Sequence, residues 1–124
     1  MKDLHKELLN EKMRVHPNKN AIQFLQRVLD GRPVTKMEFI DTMIVESIDW
    51  DLAFALQYSS DCVKVLRCAG GFDIQLLVSG DYLYEVFDNQ ESDEMHTRVK
   101  SKEIKDILSF IWRNEADKLF NKSK

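Results

Sequence analysis

Residues 72–87 read FDIQLLVSGDYLYEVF, in which two runs of alternating apolar and polar side chains flank a short turn. Apolar residues at every second position predict strands with one buried face, and the Ser-Gly-Asp turn predicts an antiparallel hairpin. A two-residue loop would set Glu85 beside Ile74 on the buried face, whereas a three-residue loop sets Tyr82 there. Because burying an unpaired carboxylate is costly, we predict the three-residue loop, with Glu85 outside the core.

The segments next to this hairpin extend it into an antiparallel meander of about 4–5 strands. Residues 62–68 are predicted to form a strand that ends at Ala69-Gly70-Gly71, and residues 95–100 are predicted to form an edge strand guarded by basic side chains. Residues 50–58 alternate in the same way, but two alanines in this segment favour a helix. We predict a strand there and keep a helix as the alternative.

The first predicted helix covers residues 3–14 and ends before the proline at position 17. Its apolar residues recur at helical spacing, which predicts that they pack on one side against the core. This stripe consists of Leu4, Leu8, Leu9 and Met13.

Two more helices are predicted before the sheet. Asn20 is expected to cap a helix over residues 21–30. Thr35 and Glu38 have the spacing of a capping box, which begins a helix that is predicted to continue to about Ile48.

A last helix is predicted after the sheet, with Ser101 as its cap and an amphipathic stripe over residues 102–120. N-terminal helices, an antiparallel meander and a long C-terminal amphipathic helix together define an α+β fold. The 124 residues are expected to form a single domain, residues 1–124.

Composition excludes several classes of protein. The chain is 44% hydrophobic with a net charge of −3, which is unlike a disordered protein, and its two cysteines are too few for a disulfide scaffold. Cys62 and Cys68 are expected to be reduced, buried thiols. The sequence has neither a secretory signal nor an apolar run of the ~18 residues that a membrane span needs, so we expect a cytoplasmic protein with no membrane contact.

Charge is distributed unevenly along the chain. Residues 1–36 carry eight basic and four acidic side chains, a balance of +4, and residues 96–124 carry the same numbers. Residues 37–95 carry two basic and thirteen acidic side chains, a balance of −11. This pattern favours either basic helices that lie over an acidic sheet or a surface that binds a charged partner.

The sequence is expected to encode a protein-binding module, such as a regulator, an inhibitor or an assembly factor. Its partner would be another protein with a basic surface, and a homodimer stays open. An aromatic residue of the sheet, Tyr82 or Phe87, would supply an apolar anchor. The predicted contact surface is acidic and includes Asp49, Asp51, Asp88, Glu91, Asp93 and Glu94, four of which belong to a predicted exposed loop over residues 88–94.

Two other functions are kept as alternatives. The basic terminal segments would suit a nucleic-acid-binding protein, with helices two and three as a helix-turn-helix pair. Asp73 and Glu85 on the predicted hairpin would suit a divalent-metal hydrolase, although Phe87 stands where such a site would place its lysine. No zinc-ligand spacing, calcium-binding loop, phosphate-binding glycine loop or catalytic triad is present in the sequence, so we expect no catalytic residue, no metal and no cofactor.

Overall fold

Helices precede and follow an antiparallel sheet, which confirms the predicted α+β class. The structure, a computed structural model, describes residues 3–46, 58–89 and 94–121. The five strands lie in the sheet in sequence order. The elements are α1 (Leu4–Lys12), α2 (Lys19–Leu29), α3 (Lys36–Ile40), β1 (Ile44–Glu46), β2 (Cys62–Cys68), β3 (Phe72–Leu77), β4 (Tyr82–Asn89), β5 (Glu94–Ser101) and α4, which begins as Ile104–Ile111, continues through a π-helical segment over Trp112–Ala116 and ends as Asp117–Phe120.

The chain divides into two compact units. The helical unit contains Met1–Ile44, Arg67–Phe72 and Ile111–Lys124. The sheet unit contains Val45–Leu66 and Asp73–Phe110. The single domain over residues 1–124 stays a prediction.

The core of the helical unit is built around Phe39, whose side chain is fully buried. Four aromatic rings surround it, with centroids 5.7–6.2 Å from that of Phe39. Edge-to-face contacts among these rings add to the free energy of burying their apolar surface. The surrounding rings belong to Phe24, Phe72, Trp112 and Phe120.

The second helix begins earlier than the sequence suggests. Its N-cap is Asn18, whose side chain accepts a hydrogen bond from the backbone N–H of Ala21 at 3.1 Å. The prediction of Asn20 as the cap is therefore wrong. The Asn18 amide also reaches the carbonyl oxygens of Thr42 and Met43 at 3.5 and 3.4 Å, so contacts distant in sequence fix the helix start at this position.

The third helix has the predicted capping box but is much shorter than predicted. The Thr35 hydroxyl accepts a hydrogen bond from the Glu38 backbone N–H, and the Glu38 carboxylate accepts one from the Thr35 backbone N–H. The helix nevertheless ends at Ile40. Residues 44–46, predicted to be helical, form β1. The Thr42 hydroxyl donates a hydrogen bond to the Phe39 carbonyl and accepts one from the backbone N–H of Ala69 at 3.1 Å. Just after the end of the helix, the chain therefore bonds to a residue 27 positions away and does not form another helical turn.

The β3–β4 hairpin has the predicted three-residue loop, one position earlier than expected, over residues 78–80. The backbone N–H of Leu77 donates to the Asp81 carbonyl, and the Gly80 N–H donates to the Leu77 carbonyl, both at 2.9 Å. Gly80 has φ +92°, the left-handed conformation that completes this type of loop. Leu76 therefore pairs with Tyr82, which confirms that their side chains share one face of the sheet.

Both faces of this hairpin are buried, whereas the alternation predicted one buried face. On the face opposite Tyr82, Leu77 and Leu83 join Cys62 and Val65 in a buried cluster, against which Tyr58 packs. This difference arises because apolar residues also occupy positions 77 and 83, which break the strict alternation. Apart from Tyr58, the segment 50–58 lies outside the described residues.

The surroundings of Asp81, beside the β3–β4 turn, predict that the stability of the fold depends on pH. Its carboxylate accepts a hydrogen bond from the Ser79 hydroxyl at 3.0 Å and lies 3.4 Å from the Lys102 ammonium. The hydrogen bond from Ser79, followed by the charges of Lys102 and Lys100, lowers the pKa of Asp81 below its ordinary value. Because the pKa of Asp81 is lower in the folded chain than in the unfolded chain, its ionised carboxylate stabilises the fold fully above the ordinary pKa of about 3.9. This stabilisation is lost as the pH falls from that value through the lower pKa of the folded chain.

We expect Ser79→Ala to raise the pKa of Asp81 towards its ordinary value, measured by NMR titration of the side-chain carboxyl carbon. The variant should also lose less stability than the wild type between pH 5 and pH 3. An unchanged pKa would contradict this role of the Ser79 hydroxyl.

Candidate functional site

The structure locates two of the six predicted partner-binding residues. Asp88 lies in β4 and Glu94 in β5, where Asn89 pairs with Glu94, so their backbones lie at the same end of the β4–β5 hairpin. The predicted exposed loop over residues 88–94 is therefore wrong at both ends. Two register shifts after Val86 let the strands continue to pair through residues predicted as loop. The other four residues lie outside the described part of the chain: Asp49, Asp51, Glu91 and Asp93.

Each carboxylate suggested for a metal site accepts a hydrogen bond from a neutral side chain of the sheet unit. The Tyr58 hydroxyl donates to Asp73 Oδ2 at 2.8 Å, and the Gln75 side-chain amide is 3.4 Å from Glu85 Oε1. Gln75 in turn accepts from the backbone N–H of Ser59 at 2.8 Å. Among the residues whose positions are described, no three His, Cys, Asp or Glu side chains are grouped to hold a metal ion. The two carboxylates therefore belong to a network that joins neighbouring segments.

Both cysteines are reduced and buried, as predicted. Burial raises the pKa of the Cys62 thiol, and the neighbouring negative charge of Asp61 raises it further. A thiol with a raised pKa is mostly protonated at neutral pH, and the protonated form is a poor nucleophile. This environment is that of a structural cysteine.

Helix α1 buries a different side from the one predicted. Leu4 and Leu8 are buried, but the third buried residue of the helix is Glu11, at 5% exposure. Leu9 and Met13, which the sequence placed in the buried stripe, are 56% and 74% exposed. With 3.6 residues per turn, these two residues follow each other on the side of the helix that faces away from Leu4 and Glu11.

The buried carboxylate explains this orientation. Glu11 accepts a hydrogen bond from the backbone N–H of Asn18 at 2.9 Å and pairs with Arg14 Nε at 3.0 Å. Because these partners compensate for the loss of water, Glu11 can occupy a buried position. The carboxylate ties α1 to the N-cap of α2.

An exposed apolar surface results at the C-terminal end of α1. Val15, two residues beyond Met13 in sequence and past the end of the helix, is 90% exposed. We call Leu9, Met13 and Val15 the α1 outer surface. Lys6 and Lys12 are exposed on the same helix, one on each side of Leu9 and Met13 in the helical projection.

A cleft of about 470 Å³ lies on another side of α1, within the helical unit. The helix contributes Lys6, Glu7 and Asn10, strand β2 contributes Arg67 and the β2–β3 turn contributes Gly71. Gly71 is so close to Glu7 that an added Cβ would lie 3.0 Å from the carboxylate. Acidic and basic side chains line this cleft in equal numbers, so it does not resemble an anion site. Its lining includes Cys68 but no His that could activate the thiol, and Cys68 is almost fully buried.

Comparison of the chain with protein-family models, with curated proteins and with solved structures found no match. In the described residues, no helix is both long enough and apolar enough to cross a membrane. The α1 outer surface was not predicted, because Leu9 and Met13 fit the helical repeat as well as Glu11 does. No pattern in the sequence marks it, because the burial of Glu11 depends on a hydrogen bond from the backbone N–H of Asn18.

Proposed function

We propose that this protein is a protein-binding module and that the α1 outer surface is its contact site. The observation that carries the proposal is the exposure of Leu9, Met13 and Val15, three apolar side chains within seven residues. Single exposed apolar residues are common, but a group of them on one surface is typical of an interaction site. Burying each of these side chains in a partner is worth about 1.5–3 kcal/mol.

The charges around this surface define the kind of partner. Lys6 and Lys12 are exposed beside the apolar residues. The complementary surface is an apolar groove with acidic residues at its rim, since opposite charges at a rim accelerate association and exclude partners of the wrong charge. Binding should therefore weaken as the salt concentration rises.

The acidic set around the β4–β5 hairpin stays a prediction for a second contact with a basic surface. It includes Asp88 and Glu94, whose backbones the structure places close together, and Glu91 and Asp93 between them in sequence. Charge reversal at Glu91 and Asp93 tests it separately: the binding rate should fall without a change in melting temperature.

The structure gives less support to nucleic-acid binding. The predicted recognition helix, α3, has only five residues, and it carries Glu38 with Asp41 at its C-cap. A helix that reads the major groove needs basic or amide side chains on a longer surface. The apolar residues of the α1 outer surface would also gain nothing from contact with phosphates.

The experiment is capture of partners by the tagged, nuclease-treated protein from cells that naturally make it. In the test variant, Leu9→Ser is combined with Met13→Ser. In the matched control, Val63→Ser is combined with Val78→Ser, which removes two exposed apolar side chains of the sheet unit. We expect the test variant to recover the stoichiometric partner at least tenfold less well, whereas the control recovers it like the wild type.

Melting temperatures of both variants should stay within a few degrees of the wild type, because all four side chains are exposed. Equal recovery by the test variant would contradict the proposal. Loss of the partner on nuclease treatment would move the function to nucleic-acid binding. If the partner is lost only when the charges of Glu91 and Asp93 are reversed, the contact site is the acidic set around the β4–β5 hairpin.

A further inference from the structure

Strand β5 lies at one edge of the sheet and is eight residues long, Glu94–Ser101. It pairs with β4 on its inner side, in unbroken register from Tyr82 opposite Ser101 to Val86 opposite Thr97. Within the described ranges, no other strand pairs with its outer side. The outer side of an edge strand presents backbone N–H and C=O groups that another extended chain can pair with.

Two basic side chains lie near the end of this strand. Arg98 and Lys100 are exposed, and Val99 between them is partly buried. The register sets Arg98 opposite Glu85 and Lys100 opposite Leu83, so the two basic side chains share one face of the sheet. Two cations on alternate residues therefore line the open edge on this face.

We propose that β5 binds an extended acidic segment of another protein, which adds to the sheet as a sixth strand. Backbone pairing along the edge supplies the affinity, and side chains at alternate positions supply the specificity. The segment would carry acidic residues opposite Arg98 and Lys100 and an apolar residue opposite Val99, because opposite charges stabilise directly facing pairs.

A second copy of this chain fits the edge less well. An antiparallel pair centred on Val99 would set Arg98 of one copy opposite Lys100 of the other, and like charges that face each other across strands are destabilising. An acidic partner is therefore the favoured occupant. This proposal goes beyond the proposed function, since it involves a different unit and none of the residues of the α1 outer surface.

The test uses the full chain and a synthetic peptide of four Glu-Val repeats with blocked ends. We expect saturable binding that weakens with salt and protection of the β5 backbone amides, residues 94–101, from hydrogen exchange. A peptide of the same sequence, N-methylated at alternate residues, removes backbone donors but keeps the side chains. It should bind at least tenfold more weakly.

Charge reversal tests the specificity. Combining Arg98→Glu with Lys100→Glu should weaken binding of the Glu-Val peptide at least tenfold and create binding of a Lys-Val peptide. The matched control combines Arg113→Glu with Lys118→Glu, two exposed cations on α4, and should bind the Glu-Val peptide like the wild type. A milder variant, Arg98→Gln with Lys100→Gln, keeps the test valid if the reversed variant does not fold.

Three results would overturn the proposal. They are failure of the Glu-Val peptide to bind, equal binding of the N-methylated peptide, and protection of the β5 amides that depends on protein concentration without any peptide. The last result would assign the edge to a second copy. Since Leu9→Ser with Met13→Ser leaves β5 intact, that variant should bind the peptide normally, so the two proposals fail separately.

Discussion

Replacing Phe39 with alanine is expected to lower the free energy of unfolding by about 3–5 kcal/mol, a large part of the 5–15 kcal/mol typical of a domain. Phe39 is fully buried, and its ring contacts four other aromatic rings. The substitution removes the ring's apolar surface and leaves a cavity, which the neighbouring rings can fill only in part because they also pack on each other.

Urea denaturation followed by tryptophan fluorescence and circular dichroism measures this effect. The matched control is Met37→Ala, two residues away but 64% exposed, and we expect it to change stability by less than about 1 kcal/mol. A cost below about 1 kcal/mol for Phe39→Ala would show that the five rings are not the core of the helical unit.

Replacing Gly70 with alanine is expected to cost about 2–5 kcal/mol. Gly70 has φ +89°, a conformation that costs roughly 1–2 kcal/mol for a residue with a Cβ. An added Cβ would also lie 2.8 Å from Cζ of Phe120, whose ring is buried, so the core would have to shift at a further cost of about 1–3 kcal/mol.

Gly80→Ala is the matched control for this prediction. Gly80 has nearly the same φ, +92°, but an added Cβ would meet nothing within 4 Å. It should therefore show the conformational cost alone, and the difference between the two variants in urea measures the clash with Phe120. Equal costs would contradict the close approach of the β2–β3 turn to that ring.

The elements with strong local signals were predictable from sequence. The β3–β4 hairpin has the predicted loop length because Gly80 and the alternation on both sides of it act locally. The capping box of Thr35 and Glu38 is also local, since both hydrogen bonds join residues three apart. The order of helices and strands follows from such signals, and so does the α+β class.

The errors come from contacts between residues distant in sequence. The apolar residues of the sequence over 44–48 keep a helical spacing, which predicted that the third helix continues there. The helix ends at Ile40 instead, and the Thr42 hydroxyl just beyond it accepts a hydrogen bond from the backbone N–H of Ala69. Likewise, the hydrogen bond from Asn18 allows Glu11 to be buried, which turns Leu9 and Met13 outward. Neither partner is marked by a pattern in the sequence, so the α1 outer surface could only be found in the structure.

The most direct test of the protein-binding function is photo-crosslinking in cells that make the protein. A photoreactive amino acid replaces Met13, and in the matched control it replaces Lys118, an exposed residue at the other end of the chain. We predict a discrete crosslinked species with one partner protein from position 13 and none from position 118, and its loss when Leu9→Ser is added. The same crosslinks from both positions, or none from position 13, would contradict an interaction site on α1.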